Sequence, residues 1–320
     1  MGTVSNALNH PEKVSPATLA RIQQAIADLS FVRNEAAHRL RLGVNRTVGM
    51  LVLDVSNPFF TDVAHGVEQG LDGTGRALLL ANSSQDRARE LAHLDAFEEQ
   101  RLSGLLVTPV GRDLARLRRL RDHGTHVVLV DRMSRAPDFS SVSVEDRLGG
   151  AMAAEHLLSI GRRRIAFIGG PRSIEQVRAR LAGAQRAVEA FGAGEVVFLE
   201  TPAMDFASGR RAAEALLAEP RTKRPDAIFA ANDLIAIGAL QALTKEGVAL
   251  PADVALIGYD DIEFAGAAAI PLTSVRQPAI AIGETAVQIL LEEIAAGDDR
   301  GKAKHVKLMP ELIVRTSTVG

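Results

Sequence analysis

The chain has 320 residues, 47% of them hydrophobic and 24% charged, with a net charge of −2 at pH 7 and no cysteine. That is the composition of an ordinary soluble globular protein, long enough for a short leader and two domains. Disulfides and thiolate chemistry are excluded. No apolar run approaches the roughly 20 residues that span a bilayer, and no export signal is legible, so a cytoplasmic protein without membrane contact is expected.

The leader comes first. Thr3–Asn9, TVSNALN, reads as a short helix rich in small polar side chains. HPEKVSP follows as a loop, and Ser15 then caps a new helix with Pro16 at its first position. Leu19, Ile22, Ile26 and Leu29 form one apolar stripe along it. Another short helix, NEAAHRLRLG, starts at Asn34. Residues 1–46 hold six Lys/Arg against three acids, while the remainder holds 31 basic and 36 acidic residues. A basic leader on an acidic body suits a polyanion partner, and equally a solvated face.

From Thr47 onward, short apolar runs alternate with segments of helical period. The runs are 48–54, 76–82, 103–109, 126–131, 163–170, 195–200, 226–230 and 253–260; between the first two, Val63, Val67 and Leu71 share one helix face. Strands that are apolar throughout are covered on both faces, which predicts parallel sheets with helices on each side. Eight such units fit two sheets in tandem. TSVRQP (273–278), the helix pattern Ile280–Ile294 and a strand-rich tail, HVKLMPELIVRTST, predict a chain that crosses between two lobes several times. The expected fold is α/β, with two doubly wound parallel-sheet lobes behind a small helical leader.

In open α/β sheets ligands bind beyond the carboxyl ends of the strands. Here those ends carry DVSNPFF (54–60), NSSQD (82–86), Asp131–Arg132, AND (231–233) and Asp260–Asp261. Asn, Asp and Ser at such places also suit helix N-caps, so capping and a polar cleft both stand at this point. Arg132 and Arg180 have the fork that suits hydroxyl, carboxylate or phosphate groups. Phe59, Phe60, Phe229 and Phe264 offer flat apolar walls or plain core.

Catalytic signatures are lacking. No G-x-S-x-G elbow, G-x-G-x-x-G turn, Walker loop or H-E-x-x-H appears, and the eight histidines are scattered. Asp260 and Asp261, as neighbours at a strand end, should point to opposite faces and not share one substrate bond. Neither an enzyme, a metal site nor a cofactor is expected.

Read in order, TVSNALN…VSPATLARIQQAIADLSFVRNEAAHRLR, LDVSNPFFTDVAHGVEQGL, GRRRIAFIGG, RARLAG, FAANDLIAIGALQAL, DVALIGYDD, PLTSVRQP and ELIVRTST closely resemble the LacI/GalR family of bacterial transcription regulators over essentially the whole chain. The resemblance implies a partial helix-turn-helix headpiece at 1–33 and a hinge helix with linker at 34–46. A two-lobed body like the type I periplasmic binding proteins would follow, with an N-terminal lobe of 47–145 plus 278–305 and a C-terminal lobe of 146–277 plus 306–320. It implies a homodimer on a near-palindromic double-stranded operator, with Thr3–Asn9 as recognition helix. Gly2, Thr3, Ser5 and Asn6 would contact DNA, Asn6 reading a base and Thr3 and Ser5 meeting phosphate. Leu40 would wedge into the minor groove, flanked by Arg39 and Arg41. A small polar effector, expected to be a sugar or sugar derivative, would sit between the lobes on Asn57, Phe59, Phe60, Asp131, Arg132, Arg180, Phe229 and Asp260, and Arg180→Ala should abolish its binding with the fold intact.

Two motifs depart from the family. Its frequent D-N-x-x-G stands here as EDRLG (145–149), and its G-H before the fifth strand as Gly161–Arg162. Members usually have about one more helix and a turn before the position of Thr3, so a headpiece truncated within its helix-turn-helix is expected. The other function in play is a cytosolic sugar-binding sensor without DNA binding, for which the segment NEAAHRLR would have no use.

Overall fold

The computed structural model describes residues 3–29, 46–134, 137–297 and 301–319. The chain forms two compact units, Met1–Asn45 and Arg46–Gly320. In the first, α1 (Thr3–Asn9) is followed by a 3₁₀ turn at Pro11–Lys13 and by α2 (Pro16–Asp28). Ser15 occupies the N-cap of α2, but its hydroxyl donates to the Thr18 hydroxyl at 2.9 Å and not to the helix backbone. Leu19, Ile22 and Ile26 are half-buried, and Leu29 is 77% exposed. The hinge segment 34–45, with its expected DNA contacts, lies outside the described residues.

The second unit contains two six-stranded sheets. In chain order its elements are β1 (Thr47–Val52), α3 (Pro58–Leu71), β2 (Ala77–Asn82), α4 (Arg87–Glu99), β3 (Gly104–Val107), α5 (Ala115–Asp122), β4 (His126–Val130) and β5 (Ser140–Val144). Then come α6 (Asp146–Ser159), β6 (Arg164–Gly169), α7 (Glu175–Phe191), β7 (Glu195–Glu200), α8 (Phe206–Ala218), β8 (Ala227–Ala230), α9 (Asp233–Lys245) and β9 (Ala255–Asp260). The last are α10 (Glu263–Ala267), β10 (Thr273–Arg276), α11 (Ala279–Ala296), β11 (His305–Leu308) and β12 (Glu311–Ile313).

The first sheet runs β2-β1-β3-β4-β5-β11 and the second β7-β6-β8-β9-β10-β12. Every pairing is parallel except β10 with β12. The two lobes thus repeat one winding, and in each the strand order reverses beside the first strand, where an open α/β sheet leaves a crevice. All eight apolar runs are strands, as their composition predicts. A ninth, β5 (SSVSV), was not predicted: its alternation reads as half-solvated, yet all five residues are buried. Ser141 accounts for part of that, since its hydroxyl accepts the Ser134 N–H at 3.3 Å and meets the His305 ring at 3.0 Å.

The chain passes between lobes after β5, after β10 and after β11. The third crossing corrects the sequence reading. Val306–Leu308 belong to the first lobe, because β11 pairs in parallel with β5 from His305 through Leu308. Only then does the chain turn to add β12 to the second sheet.

Helix packing is set by glycine pairs. A Cβ on Gly66 or Gly283 would lie 2.2 Å from a backbone carbonyl oxygen of the facing helix in the α3–α11 crossing. The α6–α7 crossing does the same through Gly150 and Gly183, and the α8–α9 crossing through Gly209 and Gly238, at 2.0–2.1 Å. Only glycine admits backbones this close. No described helix is long and apolar enough to cross a membrane.

Candidate effector site

The carboxyl ends of β1, β4 and β9 carry the site. After β1 the chain turns through Asp54, whose carboxylate accepts the Ser56 N–H at 3.0 Å and hydroxyl at 2.7 Å. Asn57 then caps α3, its side-chain oxygen accepting the Phe59 N–H at 3.1 Å. The amide nitrogen of the same residue donates across the cleft to Asp260 Oδ2 at 2.9 Å. Capping and cleft-lining, which the sequence leaves as alternatives, are here one residue's two ends.

Asp131 and Asp260 end β4 and β9 with φ of 51° and 104°. Ser84 and Gln85, after β2, also have positive φ, at 49° and 60°. Such backbone costs about 1–3 kcal/mol per non-glycine residue and persists where surrounding structure enforces it, commonly at binding sites. Gln176 and Arg180 reach in from α7, one turn apart on the same face. Gln176 Nε2 donates to the Asp131 carbonyl at 2.6 Å and to Asp131 Oδ2 at 2.9 Å. Hydrogen bonds therefore join the lobes at two places, Asn57–Asp260 and Gln176–Asp131.

Arg180 is the electrostatic centre. Its Nε donates to Asp146 Oδ1 at 2.7 Å, its Nη1 to the Ala231 carbonyl at 2.6 Å, and Asp260 Oδ1 lies 3.8 Å away. The guanidinium sits 3.6 Å from the centroid of the Tyr259 ring. Burial opposes its charge, but Asp146, Tyr259, Asp260 and Asp131 hold its pKa above the ordinary value. The carboxyls shift the other way. Burial first, then Asp146, pushes Asp131 up to about 8. Burial also raises Asp260, against the pull of Arg180. Gln277 Nε2 donates to Asp260 Oδ1 at 2.7 Å.

These groups enclose a deep cavity of about 40 Å3, adjoined by a chamber of about 380 Å3 that shares Asp54, Gln85 and Gln176 as walls. Asn57, Phe59, Phe60, Asp131, Arg180 and Asp260, all predicted, line the deep cavity. Phe59 and Phe60 meet edge to face, with centroids 5.1 Å apart. Arg132 lines the outer chamber, 3.6 Å from Glu175. Phe229 lies elsewhere: fully buried in β8, its ring packs edge-on against Phe167 at 5.0 Å and lines neither space. It sits inside its strand rather than at the end, so the sheet covers it. Phe264 is 53% exposed and also lines neither.

Asp261 turns away from Asp260 to pair with Arg276 at 2.8 Å and Arg315 at 2.5 Å, as neighbours at a strand end should. Asp86 and Asn232 serve as helix caps. Sequence reasoning missed Gln176, Gln277 and Asp146, and reached Gln85 only as part of NSSQD. For Gln176 a signal existed, four residues before Arg180 on one helix. Asp146, in the altered motif, is the direct partner of Arg180. Removing Arg180 would leave Asp146 and Asp260 without their cation, so Arg180→Ala is expected to cost stability as well as effector binding.

In the first unit, Thr3 is exposed and Asn6 half-buried, its carbonyl accepting the His10 N–H at 2.7 Å. Gly2, Arg39, Leu40 and Arg41, and the side chain of Ser5, lie outside the described residues. Among the described residues no cluster of His, Asp and Glu suits a metal ion.

Residues 154–318 match the family of the periplasmic binding protein-like domain. The repressor PurR of Aliivibrio fischeri (strain ATCC 700601 / ES114) is 33% identical over 98% of this chain and 94% of its own length. The ribose operon repressor of Escherichia coli (strain K12) is 32% identical over 98% of this chain and 95% of its own. The chain belongs to the LacI/GalR family of transcriptional regulators. A LacI family regulator from Enterococcus faecium, solved with bound ribose, has a TM-score of 0.77 at 27% identity, covering 85% of this chain and 98% of that one. The regulator GntR of Chromobacterium violaceum also has a TM-score of 0.77, at 31% identity, covering 86% of this chain and all of that one. Within the LacI/GalR fold, the cavity described here lies in the crevice between the lobes, and these relatives are regulators, not enzymes.

Proposed function

We propose that this LacI/GalR regulator is a homodimeric DNA-binding repressor whose operator affinity is set by a small polar effector, a sugar or sugar derivative, held between its lobes. The observation that carries the reading is the set of polar side chains from both lobes closing on one cavity. Asp131 Oδ1 and Gln277 Oε1 are buried there without hydrogen-bond partners among the described residues. With Asp131 holding its proton near neutral pH, one presents a donor and the other an acceptor. A hydroxyl group is both. Phe59 and Phe60 supply the apolar wall that a sugar ring needs.

The deep cavity is smaller than a sugar, so an effector would part the Asn57–Asp260 and Gln176–Asp131 bonds and replace them with its own. That gives it different affinities for two lobe arrangements, the requirement for shifting an equilibrium. Thr3, Ser5 and Asn6, with Gly2, would read the operator, and Arg39, Leu40 and Arg41 would engage its minor groove and backbone.

Fluorescence anisotropy of labelled DNA from upstream of the gene tests this, with and without ribose and related sugars. Saturable binding that one sugar shifts by about 5- to 150-fold, the usual range of allosteric coupling, is the expected result. A chain that binds no upstream DNA under any of these conditions would leave only the effector half of the reading.

A further inference from the structure

Asp131 and Gln176 also wall a separate pocket of about 270 Å3, close to the lower end of the volumes that hold small ligands. Arg112 and Arg132 come to it from the first lobe, Arg147 and Arg178 from the second. Four carboxyls stand beside them, but each is already occupied or neutral. Glu145 pairs with Lys307 at 2.5 Å, Asp146 with Arg180 at 2.7 Å, and Glu175 lies 3.6 Å from Arg132. Asp131, pushed up to about 8, holds its proton at pH 7.

Arg112, Arg147 and Arg178 have no carboxylate within ion-pair distance among the described residues. Arg178 Nη1 donates to the carbonyls of Arg172 and Ser173 at 2.5 and 3.1 Å, and Arg132 Nη1 to those of Gly111 and Pro109. Carbonyls accept hydrogen bonds but carry no net charge. Burial lowers the pKa of Arg132, Glu175 and Glu90 pull it back up, and Arg112 and Arg178 lower it again. Arg147 and Arg178 stand in the first turns of α6 and α7, whose dipoles are already met by Asp146 and Glu175 in the same turns. With Glu145 and Asp146 paired to Lys307 and Arg180, Glu175 is the charged carboxylate left to four guanidiniums, and that surplus of positive charge suits an anion.

We propose that this pocket is a second ligand site, distinct from the effector cavity, that takes a phosphate-type dianion between the two lobes. Guanidinium forks suit phosphate oxygens, and the helix N-termini add backbone N–H donors. Without the anion, the arginines of the two lobes face one another with only the Arg132–Glu175 pair between them among the described residues. With it they are bridged, so anion binding favours approach of the lobes and couples to any ligand that does the same. The anion could be free phosphate or the phosphate group of a larger metabolite.

The test uses inorganic phosphate on the full chain at pH 7.5, replacing potassium chloride at constant ionic strength, with thermal unfolding as readout. Neither operator nor sugar enters, so the result stands apart from the repressor reading. A saturable rise in Tm is expected, since a ligand that binds only the folded state stabilises it. Arg112→Gln and Arg147→Gln, exposed residues on opposite lobes, should each weaken the response at least tenfold while leaving Tm in chloride unchanged. Ribose 5-phosphate against ribose then separates the sources. Tighter binding than phosphate, lost in the same variants, assigns an organophosphate, and phosphate alone acting assigns the free anion. A wild-type chain without a saturable phosphate response, or a response that survives in the double variant, overturns the site.

Discussion

Asp131, Asp146 and Asp260 share one guanidinium, and that crowding governs the residue scale. Asp131 is buried, and Arg180 bonds directly to Asp146 rather than to it, so burial first and the charge of Asp146 second keep a proton on Asp131. Asp131 keeps its proton to about pH 8 in the native protein and to about 4 in the unfolded chain. Between those values the native state binds one more proton. Stability therefore falls as pH rises through that window, by up to about 1.4 kcal/mol per unit from this group, and is flat above it. Asp131→Asn, which cannot titrate, should flatten the slope by about one proton between pH 5 and 7.5, read by urea unfolding at several pH values. An unchanged slope would place the proton elsewhere. None of this is legible in "VDRM". Neighbours in space, not in sequence, set the protonation of Asp131.

At the scale of elements, the sequence is at its most informative. The apolar runs became strands because short, almost wholly apolar stretches such as VVLV need cover on both faces of a sheet. SSVSV escaped because a serine hydroxyl can be buried once it finds partners, and those partners, such as His305, lie far along the chain. The glycine pairs escaped too, since a helical glycine looks like a weakness until its facing backbone is known. Gly183→Ala would drive a Cβ to within 2.0 Å of the Arg147 carbonyl oxygen and force α6 from α7. A loss of about 2 kcal/mol or more is expected, as for overpacking against rigid neighbours, measured as a lower urea midpoint. Because those helices carry Asp146 and Arg180, effector affinity should fall with it. Wild-type stability would mean that the crossing can widen freely.

For the whole molecule, polar contacts of Asn57 with Asp260, Gln176 with Asp131 and Arg132 with Glu175 hold the lobes in the arrangement seen. Asn57→Ala with Gln176→Ala should shift the body toward open forms, visible as a larger radius of gyration in small-angle scattering and faster proteolysis between lobes. An unchanged radius would show that the three crossing segments and the Arg132–Glu175 pair suffice to hold the lobes. The same bonds explain why the deep cavity has so little free volume: its polar groups satisfy one another across it.

The sequence by itself determined the two sheets and the polar strand ends, for which local patterning suffices: apolar runs demand burial on both faces, and strand ends must expose polar turns. Six of the fourteen residues that line the deep cavity came from the family resemblance. Tertiary structure alone decided which of those turns meet. It put Phe229 inside its sheet, gave Val306–Leu308 to the first lobe, brought Gln176 and Asp146 to Asp131 and Arg180, and left four arginines facing across one pocket. Charge pairing, protonation and backbone approach depend on distances of a few ångströms between residues tens or hundreds apart in the chain, and only the packed fold sets those distances.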